Sequence, residues 1–185
     1  GAPRFQRFIR ATDAVDAKTS TALVTATDSH MLAALNPRDG GLVWRRPLDR
    51  PVHSVFGHED HAVVCAGPDG THVSIVQARL GALLHTVQLG AHAPSAVDVA
   101  FFPAAAANDF VVVAGGAVTR LIRGHVDWTW TPEAPVALER VVLSADHIYV
   151  LALTQSARPR PRIYTLSRRG ALLATHDARI IEIIW

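Results

Sequence analysis

A single cysteine, Cys65 in the apolar run HAVVCAG, excludes an internal disulfide and any cysteine-based metal cluster. Redox compartment is therefore left open. Lys18 is the only lysine among 18 basic residues, and 16 acidic residues bring the formal net charge to just +2, so charge alone argues nothing for nucleic acid. No apolar run approaches the roughly 18 residues of a membrane-spanning helix, and the opening GAPRFQRF has no signal-peptide core. A membrane link is thus expected only through segments that this sequence does not contain. Enzyme signatures are missing as well: there is no G-x-S-x-G elbow, and GGAVTRLIRG lacks the lysine and adjoining hydroxyl of a phosphate-binding loop. Asp13 and Asp16 precede the first repeat, and Glu133 and Glu139 flank a proline-containing link, so no useful carboxylate pair is expected. The chain reads as a non-enzyme with no cofactor and no metal.

Apolar side chains, by contrast, are plentiful, at 49% against 18% charged, which allows a well-packed core in a chain of 185 residues. They also repeat. HMLAALNPRDGGLVWRRPL (30–48) lies on THVSIVQARLGALLHTVQL (71–89) without a gap: Leu32 meets Val73, Gly40 meets Gly81, Leu42 meets Leu83 and Leu48 meets Leu89. A third copy, GAVTRLIRGHVDWTW, spaces Gly124 and Trp128 as Gly40 and Trp44 are spaced, after a shorter turn. The fourth, PRIYTLSRRGALLAT, keeps Gly170 but has Ala174 at the tryptophan position.

A further apolar strand pair precedes each copy: TALVTAT, HSVFGHEDHAVVCAG, AVDVAFFPAAAANDFVVVAGG and ALERVVLSADHIYVLALT. These short runs, rich in Val, Ile, Leu and Ala and bounded by Gly, Asp, Asn and Pro, are punctuated as strands. Only AFFPAAAAND has the alanines of a helical turn, and Pro103 and Asn108 confine it to a loop. Four strands per unit and a period of about 40 predict an all-β chain of four-stranded propeller blades. The expected blades are roughly 20–48, 52–89, 96–131 and 136–178, forming one partial propeller domain over 1–185, with 179–185 as an edge or closing strand. Residues 37–41 then form a hairpin turn: Pro37 pre-sets its own φ, while Asp39 and Gly40 tolerate left-handed backbone. Trp44 is expected on the strand face of Leu42, covering the gap to a neighbouring blade.

The phrase A-L-N-x-R-x-G-x-x-x-W, filled by Ala34, Leu35, Asn36, Arg38, Gly40 and Trp44, resembles the blade signature of the quinoprotein-like propellers. Within that group LVTATDSHMLAALNPRDGGLVWRR is most similar to the amino-terminal propeller of the family of subunit 1 of the endoplasmic reticulum membrane protein complex, with Asp39 in place of the usual threonine. The likeness extends over roughly residues 5–178, and its specific letters lie in the first blade. The resemblance implies a noncatalytic scaffold on the lumenal side of the endoplasmic reticulum membrane. Its partners would be protein subunits of a complex that inserts transmembrane helices. Ala34, Asn36, Gly40, Trp44, Gly81, Gly124, Trp128 and Gly170 would carry the blade motif. Open blade edges also invite self-association. A lumenal sensor or peptide-binding propeller of the unfolded-protein-response kinase type shares the signature and is the alternative. A quinoprotein enzyme would need calcium ligands, a catalytic aspartate and usually a vicinal disulfide, which one cysteine excludes, so no quinone is expected.

Other residue clusters have plainer readings. His53, His58 and His61, with Glu59 and Asp60, are types that bind zinc or copper, but without a helix to align them they read as loop histidines. GHEDH and GHVDW resemble the GH and WD dipeptides of WD40 repeats, but in those repeats GH precedes WD by some two dozen residues, whereas here GH and DW stand together. Arg158, Arg160 and Arg162, with Arg168 and Arg169 nearby, form a candidate contact for a protein or lipid partner, without the stacking aromatics of a nucleic-acid surface. Trp130, on the strand face of Trp128, is the other candidate partner contact.

Overall fold

A computed structural model of the chain describes residues 16–18, 23–28, 30–36, 38–58, 60–67, 70–90, 96–102 and 109–177. The readings of Asp13, Pro37 and Glu59, of the loop 103–108 and of the strand 179–185 lie outside these residues.

Every regular element among the described residues is a strand, and the strands form four antiparallel sheets of four, each in chain order. The first sheet comprises β1 (Asp16–Lys18), β2 (Leu23–Asp28), β3 (Met31–Leu35) and β4 (Leu42–Pro47). The second holds β5 (Val52–His58), β6 (His61–Ala66), β7 (His72–Gln77) and β8 (Leu83–Gln88). The third holds β9 (Asp98–Phe101), β10 (Asp109–Ala114), β11 (Ala117–Ile122) and β12 (His125–Trp130). The fourth holds β13 (Val136–Leu143), β14 (His147–Thr154), β15 (Pro161–Ser167) and β16 (Leu172–Asp177). These are propeller blades. They fall into two compact units, Gly1–Leu89 and Gly90–Trp185, with two blades in each.

Burial explains the composition of each strand. The second strands β6 and β10, HAVVCA and DFVVVA, are covered on both faces after their first residue, so they are continuous apolar runs rather than alternating ones. Among the described residues the fourth strands β4, β8, β12 and β16 are edge strands of their sheets, and they are largely exposed. In the first unit Leu32, Ala34, Val55, Ala62, Val64, Val76 and Ala78 form the core, with Trp44, Leu48 and Val52 packed against it. In the second unit Phe102, Val111, Val118, Leu138, Ile148, Val150 and Leu166 lead a larger cluster that Trp128 and Trp130 border.

The aligned copies share their hydrogen bonds. Leu48 N–H donates to the His30 carbonyl at 2.8 Å, and Leu89 N–H donates to that of Thr71 at 2.9 Å. The turn after β3 closes through Asn36 N–H to Gly41 O and Gly40 N–H to Asn36 O, both 2.8 Å; the turn after β7 does so through Gln77 N–H to Ala82 O and Gly81 N–H to Gln77 O, also 2.8 Å. In the third blade the turn shrinks to Arg123 and Gly124, at φ 51° and 79°, the mirror-image turn that suits strand twist.

The expected alternation fails at the same point in every blade. A bulge separates Ala34/Leu35, Ile75/Val76, Arg120/Leu121 and Thr165/Leu166 in the pairing of the third strand with the fourth. Trp44 therefore stands opposite Ala34, while Leu42 stands opposite Leu35. Leu42 does not share the face of Trp44 against the neighbouring blade and is 52% exposed, because the extra residue removes the two-residue period.

Candidate functional site

The turn residues of the opening motif are occupied by the backbone. Asn36 Oδ1 accepts from Arg38 N–H at 2.9 Å, and Asp39 Oδ1 accepts from Gly41 N–H at 2.8 Å, so both side chains shape the hairpin. Gly40 sits at φ 70° in that turn. Ala34 is fully buried beneath Trp44.

Trp44 reaches out of its own blade. Its Nε1 donates to the Ala78 carbonyl at 2.7 Å, and its ring covers Gly81 so closely that a Cβ there would lie 2.7 Å from Cδ2. Arg46 joins it, Nε donating to the Gly81 carbonyl at 2.6 Å. The third strand–fourth strand turn of the second blade is thus clasped by the fourth strand of the first. The same device recurs in the other unit: Trp128 Nε1 donates to the Arg168 carbonyl at 3.1 Å, and a Cβ on Gly170 would meet the Trp128 ring at 2.6 Å. Gly81 and Gly170, at φ 68° and 80°, therefore combine a left-handed turn with a close approach that no side chain permits. Gly124, at φ 79°, closes its own turn.

Sequence reasoning missed Arg120, a heavily connected side chain of the second unit. Arg120 donates from Nε and Nη2 to both carboxylate oxygens of Asp109 (3.0 and 2.9 Å), from Nη1 to Asp127 at 3.4 Å and to the Arg168 carbonyl at 3.0 Å. Its Cζ lies 4.8 Å from the centroid of the buried Phe102 ring, and that of Arg168 lies 4.6 Å from it. The hydrogen bonds to Asp109 hold the Arg120 guanidinium above its ordinary pKa. The available signal was opposite charge on diagonal positions of a hairpin whose Gly115–Gly116 turn fixes the register. Also unanticipated is Asp98 on β9, whose Oδ2 accepts from Val141 N–H of β13 at 2.8 Å. Burial raises its pKa, against the pull of the Val141 and Val99 amides.

The candidate contacts separate from one another. Arg162 Nε donates to Asp177 Oδ1 at 2.7 Å, which raises its pKa and lowers that of Asp177, so this arginine is engaged across β15 and β16. Arg158 and Arg160 lie exposed in the loop between β14 and β15, where Ser156 Oγ donates to the Arg158 carbonyl and Arg160 N–H donates to Thr154 Oγ1. Trp130 packs on Tyr164 at 5.0 Å between ring centroids and is half-buried against the core of its unit, a packing position within the unit. His58 and His61 are not loop residues: they end β5 and begin β6 as direct cross-strand partners, because the β5–β6 pairing runs to the last residue of β5. His53 stands apart on β5, its Nδ1 2.8 Å from Ser54 Oγ. Among the described residues no three His, Cys, Asp or Glu side chains cluster as metal ligands would.

One concavity adjoins the Trp44 clasp. A cleft of about 340 Å³ is lined by Trp44, Arg45, Arg46 and Pro47 of β4 and by Leu80 and Gly81 of the clasped turn. Its volume, at the low end of ligand pockets, suits one side chain better than a cofactor.

Comparisons with known proteins agree with this architecture. The chain superposes on BamB from Moraxella catarrhalis with a TM-score of 0.64 and 16% identity, over 86% of this chain and 47% of that one. On Sqt1 of Saccharomyces cerevisiae the TM-score is 0.66 at 13% identity, over 83% and 43%. On the WD40 β-propeller domain of Doa1 it is 0.59 at 13%, over 85% and 51%. Identities this low establish a common fold, and the chain spans about half the length of each of these structures. No curated protein sequence matches it. A family model does so, over residues 1–183. With its four blades and the repeated tryptophan clasp, the chain belongs to the family of the EMC1 N-terminal beta-propeller domain.

Proposed function

We propose that this chain is a noncatalytic scaffold: part of the lumenal propeller of the endoplasmic reticulum membrane protein complex, offering blade surfaces to sister subunits while the complex inserts transmembrane helices. The family match over residues 1–183 carries this reading. The chemistry of the described residues supports it. The shifted titratable groups Asp98, Arg120, Arg162 and Asp177 are each bound to a backbone amide or an opposite charge, as structural groups are, and none of them lines the cleft beside Trp44. The cleft in turn lacks a nucleophile, a general base or a pair of carboxylates.

Affinity purification of the native full-length subunit, followed by identification of its companions, tests the proposal. A stable set of membrane-complex subunits is expected. Recovery of unfolded polypeptides and of the chain itself, without such subunits, would replace the scaffold by the lumenal sensor.

A further inference from the structure

The cleft beside the clasp joins three features that the clasp itself does not need. Its lining is mixed: the Trp44 ring, Pro47 and Leu80, 67% exposed, supply apolar surface beside two arginines. Its β4 border is, among the described residues, an edge strand of the first sheet, where Leu42 and Val43 are also about half exposed, at 52% and 48%. Its surroundings are cationic. Arg45 and Arg46 line it, Arg79 precedes Leu80 in the same exposed turn, and Arg38 and Arg50 lie at the two ends of β4. The acidic side chains on these segments are Asp39, whose Oδ1 is held by Gly41 N–H, and Asp49. The second unit differs at the matching place: Arg169 stands where Leu80 does, and Arg168 is turned over Phe102.

A sheet edge presents main-chain donors and acceptors at strand spacing, and an extended segment that pairs with it places alternate side chains on the flanking surface. We propose that β4 and this cleft bind an extended acidic segment of a partner protein. An apolar side chain of the segment packs beside Trp44 and Leu80, and its alternating carboxylates meet the exposed Arg45 on the other face, within the positive field of Arg46 and Arg79. Charge complementarity selects the occupant: a basic or neutral strand would find the same edge but meet like charge or none. The inference stands on the cleft's own geometry and does not depend on membership of the membrane complex.

The probe is a fluorescein-labelled peptide alternating glutamate with leucine and valine, titrated against the 185-residue chain, beside a counterpart with lysine in place of glutamate. The glutamate peptide is expected to bind at least about tenfold more tightly, with affinity falling as salt rises. Charge reversal at two exposed positions, R45E with R79E, should lose about tenfold for that peptide while leaving the melting temperature in place. L80S should weaken it severalfold with no change in the salt dependence. Equal binding of the two peptides, or of neither, overturns the proposal. So does an R45E/R79E variant that binds as the parent does, or capture of phosphatidylserine vesicles in preference to the peptide.

Discussion

The indole of Trp44 lies flat enough on Gly81 that a methyl group there would come within 2.7 Å of Cδ2, while its Nε1 bonds the carbonyl of Ala78. G81A must therefore both strain a residue at φ 68° and displace the ring, at an expected cost of about 2–4 kcal/mol. W44A removes a half-buried ring and should cost about 2 kcal/mol, less than the roughly 3–5 of a fully buried tryptophan. The double variant should be more stable than the sum of the two losses allows, since the alanine methyl then has room. Urea unfolding of the four proteins measures this, and additive losses would contradict the clasp.

Arg123 occupies the first position of a mirror-image turn at φ 51°, followed by Gly124. Asparagine tolerates that backbone better than arginine, and Asn-Gly is the preferred pair in such turns. R123N should stabilise the chain by about 1 kcal/mol. Thermal unfolding would reveal it as a higher midpoint with an unchanged fold.

Arg120 holds two carboxylates, a neighbouring blade's carbonyl and an aromatic ring, with its side chain only 13% exposed. R120M leaves Asp109 partly buried without its partner and should cost about 3 kcal/mol. Lysine cannot reproduce the two-pronged bond, so R120K should recover little of it. R120M combined with D109A should be more stable than R120M alone, as measured by denaturant midpoint.

Asp98 gives the second unit a pH dependence whose sign follows from its raised pKa. The folded state holds this proton more tightly than the unfolded state, so the group favours folding most below the ordinary carboxylate pKa. That contribution is lost as pH rises through the folded value. D98N keeps an oxygen acceptor for Val141 N–H without the buried charge. Its stability relative to the parent should therefore increase from pH 4 towards neutrality; a difference constant over that range would show that the carboxylate is not desolvated.

The strands and their fourfold grouping were legible because apolar runs alternate with Gly, Asp and Pro at a constant period, and because residues 30–48 align with 71–89 without a gap. Trp44 was legible as a residue that faces a neighbour, but its particular partner was not, since the Ala78 carbonyl is 34 residues away and leaves no letter in the sequence. Leu42 misled because a bulge beside Leu35 is a backbone event that an alternating pattern does not announce. Arg162 belonged to an arginine-rich run whose members look equivalent, and only the pairing of β15 with β16 brings Asp177 to it. Arg120 left only the opposite charge of Asp109 on a diagonal of its hairpin, and Asp98 left nothing, because the meaning of each comes from where the next strand or blade puts its carboxylate or amide.

In both units the indole comes from the earlier blade and the glycine from the later one. A lone copy of the module holds at most half of each fastening, one as lock and one as key. The smallest segment that carries a finished fastening is consequently a tandem pair, and a chain of this kind is most safely lengthened, shortened or rearranged two copies at a time.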